Sequence, residues 1–212
     1  MRIGVFDSGI GGKVVAMSLQ QSLVDVEIVL INDQENMPYG DKTRNRVIEL
    51  TIDAVKPLID VKCDVIIIAC NTASTTALLP LRTKYPNQKF IGLDPMIKPA
   101  AKITKTNRIA VCATPRTLKS KRYNELKNTW ANDIKVIEPD CSSWANLIEH
   151  NEIDEIDLAA TINSLIEQKV DVIVLGCTHY HLIKQQIIDI VGSKITVLEP
   201  TNTIAERIKN II

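Results

Sequence analysis

The sequence predicts an α/β fold of two pseudo-symmetric halves, each a parallel β-sheet flanked by helices, with a cleft between them. Two observations carry this. Short apolar runs alternate with longer helical patterns along the whole chain, the mark of βαβ units and a parallel sheet. The chain also repeats itself at a nearly constant offset. Arg2-Ile3-Gly4-Val5 lies opposite Arg108-Ile109-Ala110-Val111 at 106 residues, and Asp64-Val65-Ile66 lies opposite Asp171-Val172-Ile173 at 107. Asp94-Pro95 lies opposite Glu199-Pro200 at 105, with Ala100 opposite Ala205. Apolar strands resemble one another, so one match means little; three blocks in the same order mean related halves, near 1–105 and 106–212. As folding units the reading is 1–95, 96–200 and a C-terminal helix, 201–212, that packs back on the first half.

Each element follows from its own pattern. RIGVF is a short apolar run that ends in a glycine-rich turn, so it reads as a strand followed by a helix near 12–22. VEIVLI is the next strand; after the Pro- and Gly-bracketed NMPYG loop comes a helix near 42–60. CDVIIIA is a continuous apolar run before a helix near 73–84, and KFIGL precedes one near 97–105. The order then repeats: RIAVC with helix 116–130, IKVIE with a helix near 154–168, VDVIVLG with helix 181–190, and KITVL with helix 202–211.

Composition bounds the function. With 212 residues, 45% of them hydrophobic, the chain can bury a substantial core. Its 25 basic and 25 acidic side chains cancel, which argues against a nucleic-acid or anionic-membrane partner. The N-terminus has neither a signal-peptide nor a transit-peptide pattern, and no apolar run reaches the roughly 18 residues of a membrane helix. The five cysteines (63, 70, 112, 141 and 177) include no CxxC, so a disulfide framework or zinc site reads poorly and a reducing cytoplasm reads well.

In an open α/β sheet, ligands sit beyond the carboxyl ends of the strands. The residues there are Asp7-Ser8, Thr114, Cys70-Asn71-Thr72 and Cys177-Thr178-His179. FDSGIGG suits close approach of backbone to an anion at a helix start, or a tight βα turn; it lacks P-loop and dinucleotide spacing. Tyr39 in NMPYG, taken alone, reads as an aromatic capping the core edge. Free cysteines are often small buried hydrophobes, and Cys63, Cys112 and Cys141 are read so. Cys70 and Cys177 differ, because each ends a buried strand before hydrogen-bonding residues and the two occupy equivalent positions in the halves. A thiol with pKa about 8.5 needs an acid–base partner to act at neutral pH. His179 is the candidate beside Cys177 and Asp7 the candidate near Cys70, while His150 and His181 stay unassigned. Two acid–base groups on opposite faces of one site suit two-base racemisation or epimerisation at carbon.

FDSGIGG, PYG, ACNTAS and GCTHY, in this order, resemble the cofactor-independent glutamate racemases of the aspartate/glutamate racemase superfamily, and ATPRTLKSKRY and KPAAKI fit the same pattern. The resemblance implies a flavodoxin-like, racemase-type fold and interconversion of L- and D-glutamate, supplying D-glutamate for peptidoglycan. It implies that Cys177 acts on the L-enantiomer and Cys70 on the D-enantiomer, assisted by Asp7, His179 and Glu149. Asp7, Ser8, Tyr39, Gly40, Asn71, Thr72, Thr114, Thr117, Thr178 and His179 would hold the amino acid. No cofactor and no metal are implied, and a cytoplasmic homodimer is. The chain departs from the pattern in being shorter, in the 140–152 segment, at Lys13 and at His181. Racemisation of another acidic amino acid such as aspartate, non-catalytic amino-acid binding and thiol redox chemistry are the alternatives.

Overall fold

The computed structural model describes residues 1–201 with Ile204, Glu206 and Ile208. Strands β1 (Arg2–Asp7), β2 (Glu27–Asn32), β3 (Val65–Ile68) and β4 (Lys89–Gly92) form one parallel sheet in the order β2-β1-β3-β4. Strands β5 (Arg108–Cys112), β6 (Lys135–Ile137), β7 (Val172–Leu175) and β8 (Thr196–Leu198) form a second in the order β6-β5-β7-β8. The repeat in sequence is therefore a repeat in topology. Ile3 pairs with Val65 across β1 and β3 as Ile109 pairs with Val172 across β5 and β7. β3 and β7 are buried on both faces, which is why they read as unbroken apolar runs rather than alternating ones.

Helices α1 (Gly11–Ser22), α2 (Arg44–Asp60), α3 (Asn71–Lys84) and α4 (Ile97–Ile103) follow the strands of the first half. In the second half come α5 (Pro115–Leu118), α6 (Lys121–Trp130), α7 (Trp144–Glu149), α8 (Leu158–Glu167) and α9 (Lys184–Val191). Three differences from the sequence pattern have local causes. The helix expected at 116–130 is two, because Ser120 turns extended and its hydroxyl accepts from the Tyr123 amide, starting α6 afresh. The helix expected from 154 starts at Leu158, where Asp157 caps it through the Ala160 amide. The helix expected from 181 starts at Lys184, after a 3₁₀ turn over Thr178–Ile183. α7 went unread because six residues are too few to display a helical period.

Each half's sheet is packed on both faces. Ile97 and Ala100 of α4 are buried not on the first sheet but with Ile109 and Val111 of β5. Conversely, Ile204 and Ile208, on helical backbone, are buried with Ile3 and Val5 of β1 and with Val15 and Leu19 of α1. Each buried isoleucine stabilises by ~1.5–3 kcal/mol, so the chain is stitched twice between the halves. The rest of the expected 202–211 helix lies outside the described residues. No helix among the described residues is long and apolar enough to cross a membrane.

Candidate active site

The carboxyl ends of β1 and β3 face those of β5 and β7, and the contact between the halves is polar. Cys70 ends β3 and caps α3, its Sγ lying 3.5 Å from the Ala73 amide and 3.2 Å from Ser8 Oγ. Cys177, at the equivalent place after β7, has its Sγ 3.7 Å from His179 Nδ1. The other ring nitrogen of His179 lies 2.6 Å from Glu149 Oε2, making a Cys–His–Glu relay. Glu149 also accepts from Gln34 Nε2 at 2.6 Å and from the Ile10 amide at 3.0 Å, both in the first half. Asp7 accepts from the Gly9 amide at 2.8 Å and from Thr178 Oγ1 at 2.9 Å. The group hydrogen-bonded to Cys70 is thus Ser8, while Asp7 reaches across to the other half.

Burial governs the electrostatics. It pushes the Cys70 thiol up to about 11, and the Asp7 charge adds to the rise against hydrogen bonds from Ser8 and Ala73. Ionising Cys70 at pH 7 therefore costs about 5 kcal/mol. Cys177 is raised further, first by burial and then by a negative charge on Cys70. The two thiols are coupled so that the site resists carrying two thiolates at once. Burial also lifts Asp7 to about 6, opposed by His179, Gly9 and Thr178. Glu149 feels burial as its largest influence, yet Gln34, Ile10 and His179 together hold it below the usual carboxylate range. Cys63, Cys112 and Cys141 are buried and free.

The remaining candidates gather around this line. Thr72 Oγ1 lies 2.8 Å from Thr114 Oγ1 and 3.4 Å from Thr117 Oγ1, a three-hydroxyl cluster spanning the halves. Asn71 donates to the Leu93 carbonyl, and its Oδ1 is buried without a hydrogen-bond partner among the described residues. The Tyr39 hydroxyl donates to Asp33 Oδ2 at 2.6 Å; its ring packs on Phe6, and burial raises its pKa. Gly40 abuts Thr114, where a Cβ would come within 2.8 Å of that side chain. His150 is exposed at the end of α7, and Lys13 points to solvent.

The glycine turn has a definite use. A Cβ on Gly9 would meet Glu149 Oε2 at 2.6 Å and His179 Nε2 at 2.7 Å. On Gly11 it would meet Thr178 Cβ and Oγ1 at 2.5 Å. These glycines let Thr178, His179 and Glu149 of the second half lie close against the first. Gln34 and the Ile10 amide were not found from the sequence, although Gln34 follows β2 and the strand-end rule that picked Asp7 would have reached it. A cavity of about 530 Å³ between the halves is lined by Ser74, Asp94, Arg116 and Arg122, among others, and not by the thiols. Cys70 and Cys177 are only 6% and 7% exposed. Among the described residues no cluster of His, Cys, Asp or Glu could hold a metal ion.

The chain matches the Asp/Glu/Hydantoin racemase family over residues 13–208. It is 38% identical to the glutamate racemase of Lactobacillus helveticus, across 99% of this chain and 80% of that protein. It resembles the Escherichia coli glutamate racemase solved with L-glutamate and the activator UDP-MurNAc-ala, with a TM-score of 0.86 and 28% identity over 98% of this chain and 80% of that one. The Francisella tularensis glutamate racemase, solved with D-glutamate, gives a TM-score of 0.83 and 27% identity over 99% of this chain and 80% of that one.

Proposed function

This chain belongs to the Asp/Glu/Hydantoin racemase family, and on that premise we propose that it interconverts L- and D-glutamate with Cys70 and Cys177 as the two bases. The observation that carries the reading is the pair of buried thiols at equivalent strand ends, each with its own hydrogen-bonding partner, joined by a polar contact between the halves. Relatives named glutamate racemase, and neighbours solved with either enantiomer, support the substrate.

The chemistry follows from the coupling of the thiols. One cysteine enters as thiolate and takes the proton from Cα; the other, as thiol, delivers a proton to the opposite face. Each turnover leaves the pair with its roles exchanged and its single negative charge conserved. Repulsion between the sulfurs disfavours a second thiolate, so the pair carries one negative charge at most. On the Cys177 side, His179 receives the thiol proton while Glu149 orients and stabilises the imidazolium, the usual logic of an activated nucleophile. On the Cys70 side Ser8 contacts the sulfur directly, and Asp7 contributes charge. Asn71 Oδ1 is an acceptor suited to the substrate ammonium, and the Thr72, Thr114 and Thr117 hydroxyls are donors suited to its carboxylates. Closure of the halves excludes water from the carbanion-like species.

We read residues 1–95 and 96–200 as the closing units, and the protein as a cytoplasmic homodimer supplying D-glutamate for peptidoglycan. The test is polarimetric. D-Glutamate and then L-glutamate are followed by circular dichroism without added cofactor, with D-aspartate in parallel. Decay of both glutamate signals, stopped by Cys70→Ala and by Cys177→Ala, is the expected result. Because the enantiomers have equal free energy, kcat/KM must agree in the two directions. One methylene is worth only about 1–3 kcal/mol of discrimination, so decay of aspartate instead would retire the substrate and keep the mechanism. Binding without turnover of either amino acid would retire both.

A further inference from the structure

The 3₁₀ turn Thr178–Ile183 carries Thr178 and His179 on one side, and it is held on the other by a residue that the proposed chemistry does not use. The side chain of His181 is only 5% exposed. Its Nδ1 lies 3.2 Å from Thr201 Oγ1, and its Nε2 lies 3.2 Å from Glu199 Oε2. Glu199, itself 10% exposed, accepts from the Thr201 amide at 2.9 Å and pairs with Lys184 at 3.3 Å. Thr201 opens the C-terminal stretch whose Ile204 and Ile208 are buried in the core of the first half. One chain of contacts thus runs from the second thiol's turn, through His181, to the segment seated on β1 and α1. The same α1 begins at Gly11, against Thr178.

We propose that His181, through Glu199 and Thr201, is a positioning residue for the Cys177 side of the reaction: it ties the turn bearing Thr178 and His179 to the C-terminal segment docked on the first half. Four features support this. The contact is largely buried: Nδ1 is within hydrogen-bond distance of Thr201 Oγ1, and Nε2, which makes no hydrogen bond among the described residues, faces Glu199 Oε2 at 3.2 Å. It is attached to the same short turn as His179, only two residues away. It has no thiol or substrate-binding group of its own, so its effect on chemistry is indirect. It also differs in kind from its counterpart in the first half: Asp94, opposite Glu199 in the repeat, pairs with Arg122 across the halves, not with its own strand-end turn. The Cys177 side is therefore held by a device that the Cys70 side lacks.

The assignment of a reaction to this site rests on the racemase reading above, so the test has one arm that does not. Wild type, His181→Leu, His181→Gln and Glu199→Gln are compared for kcat and KM with each glutamate enantiomer, for melting temperature, and for iodoacetamide alkylation of Cys177 against Cys70 in the same molecules by peptide mass spectrometry. Displacing a catalytic group by about 1 Å costs on the order of 100-fold, so His181→Leu and Glu199→Gln are expected to lower kcat by about 10- to 100-fold with KM little changed. The Cys177-to-Cys70 alkylation ratio is expected to rise severalfold, and His181→Gln to recover part of both. A fall in kcat that tracks loss of folded protein while the ratio stays constant would overturn the proposal, as would full activity in folded His181→Leu. If wild type does not racemise glutamate but the ratio still moves in the variants, the substrate reading fails and the positioning role stands.

Discussion

Gly11→Ala isolates the closure of the halves from every other property of the site. Gly11 is the first residue of α1, and its backbone is one that alanine also adopts. Alanine is favoured over glycine within helices by up to ~1 kcal/mol, so the local helix loses nothing. The added methyl would, however, lie 2.5 Å from Thr178 Cβ and Oγ1 and 2.8 Å from the Thr178 carbonyl carbon. Relief requires a shift of roughly 1 Å, since ordinary contacts begin near 3.5 Å. Backbone is among the obstacles, so a side-chain rotation alone does not provide it. Overpacking of this kind costs about 1–3 kcal/mol, offset in part by the helix gain, so the melting temperature should fall by no more than about 4–8 °C. Thr178 donates to Asp7, and its neighbour His179 contacts Cys177, so the same shift separates the two acid–base systems. Racemisation followed by circular dichroism should fall about 100-fold in kcat/KM. Gly192→Ala is the control: its φ of +58° is strained for alanine, yet nothing stands within 4 Å of the new methyl. With ψ at −142°, outside the left-handed helical region, it should lose about 1–3 kcal/mol of stability and keep its rate. A Gly11→Ala enzyme with wild-type kcat/KM would refute the argument that the glycines serve closure.

Other outcomes follow from the same geometry. Asp7 titrates at about 6 in the folded protein against 3.8 as its ordinary value, so the native state favours the neutral acid. Stability is accordingly lost as pH rises from about 4 to 6, and the loss is complete above the folded value. Asp7→Asn should raise stability at pH 7 by at most about 3 kcal/mol and flatten denaturant midpoints across that window while abolishing racemisation. Glu149→Gln removes the charge facing His179, and kcat should drop by about 100-fold, the low end of general acid–base contributions; an unchanged rate would remove Glu149 from the relay. Dialysis against a chelator, with rates measured before and after, should leave turnover unchanged.

The sequence alone determined the strands, their order of appearance, the duplication, and the equivalence of Cys70 and Cys177. Those are properties of short runs: apolar periodicity, turn residues and a repeated offset are all visible within a few residues of one another. It also placed Asp7, Thr72, Thr114, Thr178 and His179 near one cleft, because parallel strands bring their carboxyl ends to one side. The tertiary structure decided who touches whom. Asp7 meets Thr178 across 171 positions of chain, Glu149 meets Gln34 across 115, and Ser8, not Asp7, contacts Cys70. The purpose of Gly9 and Gly11, and the link from His181 to the C-terminal segment, depended likewise on packing between the halves. Such contacts are set by the angle and distance at which two separately formed sheets dock, and no local pattern in the chain encodes that relation.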